Sequence, residues 1–227
     1  MSNSTRKVLS REVYDKIKDM IFSRELSQGD RIPEEKMAEF VGGSRTPVRE
    51  ALRILSAEGL VEVSPRRCAS VRVYDGEAVE EVGTVRLSQD ILAARLAIQY
   101  GTNQDFLDMR PLIEDCEACA RRGDVQGFIQ ADDSFHTRIV ELSRNRILID
   151  NQKRLYQIIR LIQVSHYSNV ERSLQQVRHH REILDGLLTR DYVRTCNAVC
   201  DHLQDYYHIN AAIANSFRVL RGPGLHL

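Results

Sequence analysis

Apolar residues recur at helical spacing in three short stretches of the first third of the chain, separated by turn residues. The first stretch runs from about Ser10 to Ser23, the second is EEKMAEFV and the third is RTPVREALRILSAEG. The segments LVEV and SVRV then alternate apolar and polar residues on either side of the turn-like SPRRCA, as the strands of a hairpin do. Three helices followed by a hairpin predict a winged helix-turn-helix.

The rest of the chain shows helical patterns alone. Pro111 predicts a kink or a restart in the second of these helices, and Asp124 and Asp191 are suitable N-caps. The connections are short enough for antiparallel neighbours. We expect a mainly α protein, with a winged helix-turn-helix over residues 1–75 and an all-α antiparallel bundle of about six helices over residues 76–227. The six stretches lie at roughly 77–100, 104–122, 124–143, 146–167, 171–189 and 191–215.

Composition and charge narrow the class of protein. Hydrophobic residues make up 42% of the chain and charged residues 28%, which is ordinary for a globular protein. The N-terminus lacks the apolar core of a signal peptide, and charges interrupt the most apolar stretch, so we expect a cytoplasmic protein that does not bind membranes. The net charge is zero, yet residues 1–74 carry 14 Lys and Arg against 11 Asp and Glu. A mildly basic first domain fits DNA binding.

Five cysteines raise the question of a metal or redox site. Cys116 and Cys119 have C-x-x-C spacing, and Cys196 and Cys200 have C-x-x-x-C spacing. Both pairs lie inside helical patterns, where such spacing places two small, easily buried side chains on one face. We therefore favour packing over a cysteine-based zinc or redox site.

The third helix carries the side chains that would contact DNA. In a helix-turn-helix the second helix of the pair enters the major groove with its N-terminal residues toward the bases. Arg45 and Arg49 share one face and each can donate to guanine, while the hydroxyls of Ser44 and Thr46 suit phosphate oxygens. The alternative is that both arginines are solvated charges or pair with nearby glutamates. The wing would add Arg66 and Arg67.

The segment SRTPVREALRILSAEGLVEV resembles the signature of GntR-family bacterial transcription regulators, and the similarity extends from Leu9 to Val73. The resemblance implies that Arg45 and Arg49 contact bases and that Ser44 and Thr46 hold phosphate. Two positions depart from the family pattern. Glu35 stands where some relatives carry a basic residue, and Cys68 occupies the place of the usual wing-tip glycine.

Several potential metal ligands in the second domain lie on the apolar faces of predicted helices. Asp132 and His136 are four residues apart, hence on one face, whereas Asp133 is about 100° around the helix. His180 and His202 lie among apolar residues of two further helices. Buried groups of this kind must pair, and a divalent cation would satisfy all of them at once. Satisfied core or surface histidines are the alternative.

The segments DDSFH, HHREIL and CDHL are similar, in this order, to those of the FCD-type metal-binding and ligand-binding domain in the FadR branch of GntR regulators. The resemblance implies that Asp132, His136, His180 and His202 bind a divalent transition metal, most often zinc, with nickel possible. It also implies a small carboxylate effector at this metal and a homodimer. Arg86 matches an arginine common in the family and could hold a second carboxylate; an exposed ion pair with Asp90 is the alternative.

These observations favour a ligand-responsive transcription regulator over two other functions. We expect a repressor that binds an operator in double-stranded DNA, with an affinity that the carboxylate modulates. A metalloenzyme is the second possibility, although the chain lacks an H-E-x-x-H motif and a general base apart from the ligands. The third is a purely structural metal.

Overall fold

A computed structural model describes residues 3–64, 68–166 and 169–219. Over these ranges the chain is mainly helical, with one small antiparallel sheet of two strands. It divides into two compact units, Met1–Asp75 together with Gln157–His166, and Gly76–Tyr156 together with Tyr167–Leu227. Among the described residues, no helix is both long and apolar enough to cross a membrane.

The first unit has the expected order of three helices and a hairpin. The first helix is longer than predicted: it begins at Asn3, and Ser10 is a buried residue within it rather than its N-cap. Neither Gly nor Pro interrupts the residues before Ser10, so nothing in that segment stops the helix. The elements of this unit are α1 (Asn3–Phe22), α2 (Glu34–Phe40), α3 (Arg45–Ala57), β1 (Val61–Glu62) and β2 (Ser70–Val71).

The hairpin is shorter than its alternating pattern suggested. Val61 pairs with Val71 in an antiparallel register, and Arg31 forms an isolated bridge with Ser70 that the sequence did not indicate. Arg66 and Arg67, the predicted wing contacts, lie outside the described residues.

The core of the first unit forms where the apolar face of α3 meets α1. Val48, Ala51 and Leu55 of α3 are almost fully buried, as are Val13 and Ile17 of α1. These residues follow the helical spacing that predicted both elements. The opposite face of α3 is left to solvent, which is the requirement for a helix that enters a DNA groove.

The C-terminal part of a long helix of the bundle, Gln157–His166, belongs to the first unit. Ile158 lies against Gly59, where a Cβ would come within 2.9 Å of the Ile158 Cδ1 atom. Gly59 also has a φ of 82°, so the left-handed turn after α3 and this close approach both require glycine. The guanidinium of Arg160 lies 4.5 Å from the centroid of the Phe22 ring.

The second unit is all-helical, and two of the six predicted stretches are divided. The second stretch ends at Leu107 and restarts before Pro111, and the last one breaks at His208, which has a φ of 52°. Asp124 and Asp191 cap their helices as predicted, because each side chain accepts a backbone hydrogen bond three residues on. The helices are α4 (Gly76–Tyr100), α5 (Asn103–Leu107), α6 (Arg110–Arg122), α7 (Val125–Leu142), α8 (Arg146–His166), α9 (Val170–Leu188), α10 (Tyr192–Tyr207) and α11 (Ala211–Phe217).

Candidate metal centre and recognition helix

Three helices of the second unit bring one carboxylate and three imidazoles together in its interior. Asp132 and His136 lie one turn apart on α7, His180 lies on α9 and His202 on α10. All four side chains are buried, and their potential ligand atoms lie within 4.8 Å of one another. The i, i+4 spacing on α7 is what turns the carboxylate and the first imidazole toward the same point.

The distances within this cluster suit a shared ion. The Nε2 atoms of His136 and His202 are 3.0 Å apart. The Asp132 Oδ1 atom lies 3.1 Å from His180 Nε2 and 3.8 Å from His136 Nε2. Because zinc is bound at about 2.0 to 2.2 Å, two ligands of one ion lie roughly 3 to 4.4 Å apart. The four side chains therefore fit one divalent ion with little rearrangement.

Three ring nitrogens of the candidate ligands make no hydrogen bond. Both ring nitrogens of His180 and the Nδ1 atom of His202 are buried without a hydrogen bond. A buried polar atom without a partner costs about 1 to 3 kcal/mol. Of these three nitrogens only His180 Nε2 faces the other donors, 3.1 Å from Asp132 Oδ1, so a cation in the cluster would satisfy that nitrogen but neither Nδ1 atom.

Burial also keeps two of the imidazoles in the form that binds metals. The pKa of His136 is lowered well below its usual value, first by burial and then by the Arg86 guanidinium and the two other imidazoles. The pKa of His202 is lowered in the same direction by burial, then by His180 and Arg86. Both are therefore neutral at pH 7, and the neutral imidazole is the ligating form.

Asp133, which the helical geometry excluded, lies outside the cluster, and so does His179, the neighbour of His180. Asp133 and His179 are only half-buried, and neither belongs to the group of potential ligands. The ring of His179 lies 6.0 Å from that of His202. The structure thus brings together the four residues predicted from sequence, and their role as ligands stays a prediction.

Arg86 is buried, unlike in the exposed ion pair with Asp90 that the sequence allowed. It does pair with Asp90, at 3.2 Å from Nε to Oδ2, but its side chain is only 2% exposed. Its Nη1 atom donates to the Tyr207 hydroxyl at 2.8 Å, and Nη2 is buried without a partner. A two-pronged grip on a carboxylate would therefore require Arg86 to release one of these partners, whereas Nη2 alone is free to donate.

The sequence indicated the Arg86–Asp90 pair but neither its contact with the cluster nor the role of Gln152. Asp90 accepts a hydrogen bond from Gln152 Nε2 at 2.7 Å, and its Oδ2 atom lies 3.5 Å from His136 Nδ1. Burial raises the pKa of Asp90, while Arg86 and Gln152 act in the opposite direction. The spacing of Arg86 and Asp90 on an otherwise apolar face was the available signal. Gln152 carried none, because polar residues surround it in the sequence.

The recognition helix, α3, presents its N-terminus to solvent. Ser44 occupies the N-cap position with an extended backbone, and its side chain makes no capping hydrogen bond. Thr46 and Arg49 are exposed, and the Arg45 side chain is 71% exposed. The Arg45 Nη2 atom lies 3.6 Å from Glu35 Oε1, a solvent-exposed pair of the weak kind. All four predicted residues are thus accessible to a DNA duplex.

Four of the five cysteines are packed inside the second unit, whereas Cys68 of the first unit is exposed. Cys116, Cys119, Cys196 and Cys200 are all buried. Burial raises the pKa of both Cys196 and Cys200 to about 11, so these thiols remain protonated at neutral pH. In the described part of the chain, no group of potential ligands includes a cysteine.

A winged helix-turn-helix with an exposed arginine pair, joined to a helical domain with a buried polar site, defines a DNA-binding regulator. Residues 9–71 match the model of the bacterial regulatory proteins of the gntR family. Residues 81–205 match that of the FCD domain. The chain belongs to the GntR family of bacterial regulators and carries an FCD ligand-binding domain.

Individual relatives agree with this assignment. The chain is 26% identical over 201 residues to the uncharacterized HTH-type transcriptional regulator YdhC of Bacillus subtilis, a match that covers 85% of this chain and 90% of the relative. It is 28% identical over 191 residues to the Nta operon transcriptional regulator of Aminobacter aminovorans, with 83% and 88% of the two chains covered.

A solved structure shows the same fold. The Escherichia coli McbR/YncC structure superposes with a TM-score of 0.74 at 22% identity, covering 92% of this chain and 99% of that one. The relatives are transcription regulators, and this chain is accordingly a regulator and not an enzyme.

Proposed function

We propose that this regulator is a repressor whose operator binding is relieved when a small carboxylate binds at a divalent metal in the FCD domain. One observation carries the proposal: four buried donors from three helices converge within 4.8 Å, with the Nε2 atoms of His136 and His202 only 3.0 Å apart. Such an arrangement costs stability unless a cation occupies it. Repression is the simpler mode of action, because a repressor need only occupy a promoter.

Zinc is the metal that this donor set favours, with nickel as the second choice. Three imidazole nitrogens and one carboxylate oxygen suit borderline transition metals, whereas calcium and magnesium prefer sets of oxygen ligands. An ion held by Asp132, His136, His180 and His202 would supply further coordination positions to a carboxylate effector. Arg86 Nη2 is the nearby donor still free to bind a second carboxylate of that effector.

Regulation requires the effector to distinguish two states of the protein. A cavity of about 10 Å³ lies beside His136 and Asp90, between Ile139 and Val199, which is room for about one water molecule. A carboxylate must therefore displace side chains in order to enter. The enlarged site and the closed one would have different affinities for the effector, which is the condition for a ligand-driven switch.

On the DNA side, we propose that a homodimer binds a short pseudo-palindromic operator through two copies of α3. Arg45 and Arg49 would contact base edges and Ser44 and Thr46 phosphates, which their exposure supports. Half-sites one helical turn apart, or a multiple of it, would match a two-fold symmetric dimer.

Calorimetry on the full-length protein tests the metal and the effector together. Protein stripped with a chelator and its zinc-reloaded counterpart are each titrated with acetate, lactate, malonate and citrate as probes. We expect the acids to bind only to the zinc-loaded protein. We also expect a bound acid to weaken the affinity of the protein for an operator selected from random duplexes. Binding that is the same without zinc would refute the metal-dependent effector site.

A purely structural ion is the second candidate, and the small cavity favours it. With about 10 Å³ free beside His136, an ion could brace α7, α9 and α10 without an effector. In that case zinc would raise thermal stability, none of the acids would bind, and operator affinity would not respond to them.

A further inference from the structure

A second buried carboxylate, that of Asp90, lies next to the candidate ligand His136 but is not itself one of the candidate ligands. Asp90 of α4 is 5% exposed, and its Oδ2 atom faces the Nδ1 atom of His136 at 3.5 Å. On the other side of the same ring, Nε2 lies 3.0 Å from His202 Nε2 and 3.8 Å from Asp132 Oδ1. His136 therefore has one nitrogen toward the cluster and the other toward Asp90.

We propose that Asp90 is a positioning residue of the metal centre, which accepts a hydrogen bond from the Nδ1–H group of His136 and so presents Nε2 to the ion. The inference rests on the proposed metal site. A neutral imidazole carries one proton, and if Nε2 donates its lone pair to a metal, Nδ1 must hold that proton. A buried N–H group needs an acceptor, and the Asp90 carboxylate is placed to provide one.

Asp90 is itself held in place by two hydrogen bonds, one from α8 and one from its own helix. Gln152 of α8 donates to Oδ1 at 2.7 Å, and Arg86 of α4 donates to Oδ2 at 3.2 Å. Arg86 also donates to the hydroxyl of Tyr207, which lies on α10 with the candidate ligand His202. Because each neighbour is tied to another element, the carboxylate has little freedom to rotate away from His136.

The charges around Asp90 are consistent with this arrangement. Asp132 and Asp90 are both buried near one another, and two carboxylates repel in such surroundings. The Arg86 guanidinium interacts favourably with both carboxylates, and it donates directly to Asp90. Arg86 therefore stabilises the candidate site through Asp90, and its Nη2 atom is in addition available to contact an effector.

The first test compares zinc affinity in three full-length proteins, measured by competition with a chromophoric chelator. Asp90→Asn keeps the shape of the side chain but removes its charge, and should weaken zinc binding about 10- to 100-fold. Asp133→Asn is the matched control, because it removes the same charge beside a ligand but outside the cluster. It should retain the wild-type affinity.

The second test needs no substitution at Asp90 and so does not depend on the folding of that variant. In zinc-loaded wild-type protein labelled with ¹⁵N-histidine, the ring signals of His136 are assigned by their loss in His136→Gln. A metal-bound Nε2 with a protonated, exchange-protected Nδ1 is expected. Metal bound through Nδ1, or an Nδ1 proton in free exchange with solvent, would overturn the proposal.

The outcomes separate the two hypotheses. If the wild-type chain binds no zinc, the metal site fails and the role of Asp90 fails with it. If the wild-type chain binds zinc and folded Asp90→Asn, checked by circular dichroism, binds it equally well, the metal site stands and the role of Asp90 alone is refuted.

Discussion

Two arginine–carboxylate pairs of this regulator, one on the recognition helix and one in the bundle, show how burial changes the function of the same chemistry. Arg45 and Glu35 are 3.6 Å apart, with side chains 71% and 84% exposed. Arg86 and Asp90 are 3.2 Å apart, with side chains 2% and 7% exposed. Water screens the first pair, so it holds its partners weakly. The second pair cannot be broken without leaving a buried charge.

The difference in burial between the two pairs indicates what favours ligand binding in each region. An exposed arginine loses little interaction free energy when it leaves a glutamate to contact guanine. The N-terminus of α3 can therefore bind and release DNA reversibly. Buried groups must be satisfied within the protein, and His180 and His202 have nitrogens that are not. In the proposed account an ion occupies the bundle site, whereas the recognition helix needs no partner until it meets DNA.

The largest effect should follow from removing a buried ligand. His180→Ala takes away one of four donors, so zinc content should fall from about one equivalent per chain to near zero. Elemental analysis after dialysis measures it. His179→Ala, the adjacent half-buried imidazole, is the control and should keep its zinc. A full equivalent retained by the His180 variant would show that the ligand set is wrong.

Metal loading should stabilise the bundle by mass action. Zinc at about 100 times its dissociation constant should add about 2.7 kcal/mol to the free energy of unfolding. For a domain of this size, that corresponds to a rise in melting temperature of roughly 5 to 11 °C. Differential scanning calorimetry on chelator-treated and reloaded protein measures the shift. An equal rise in His180→Ala would mean that zinc acts elsewhere.

On the exposed side, Arg49→Ala should weaken operator binding by about 1 to 3 kcal/mol and relax the base preference at the position it contacts. Fluorescence anisotropy with the selected operator and its single-base variants measures both. Arg11→Ala on α1 also removes an exposed arginine and should leave the base preference intact. If Arg49→Ala changes neither affinity nor preference, Arg49 does not contact bases.

The smallest effect concerns the exposed ion pair. Glu35→Gln frees Arg45 from its competing partner and should tighten DNA binding by roughly 0.5 kcal/mol at low salt, less as salt is raised. Glu39→Gln removes the same charge from the same helix, away from the pair with Arg45. An equal gain in both variants would assign the effect to net charge rather than to Arg45.

The sequence predicted the fold well because local patterns determine most of it. Helical spacing located the apolar faces of α1 and α3, and the caps Asp124 and Asp191 are where they were expected. The errors arose at the ends of elements: no residue stops α1 before Ser10, and the break at His208 has no strong local signal. The position of Gln157–His166 in the first unit is likewise a matter of packing between distant segments.

The candidate site was partly predictable for the same reason. The four candidate ligands could be selected from helical faces together with a resemblance to the FCD domain. Gln152 and Tyr207 could not, because their importance depends on which buried atoms they reach: Asp90 for the first and Arg86 for the second. Periodicity indicates which side of a helix is buried but not which buried polar groups meet.

X-ray absorption at the zinc edge of the reloaded protein tests the central claim most directly, since it identifies the atoms bound to the metal. The account predicts nitrogen and oxygen ligands at about 2.0 to 2.2 Å, with the scattering pattern of three imidazoles from His136, His180 and His202. A sulfur shell at about 2.3 Å would place the zinc on cysteines instead and contradict the account.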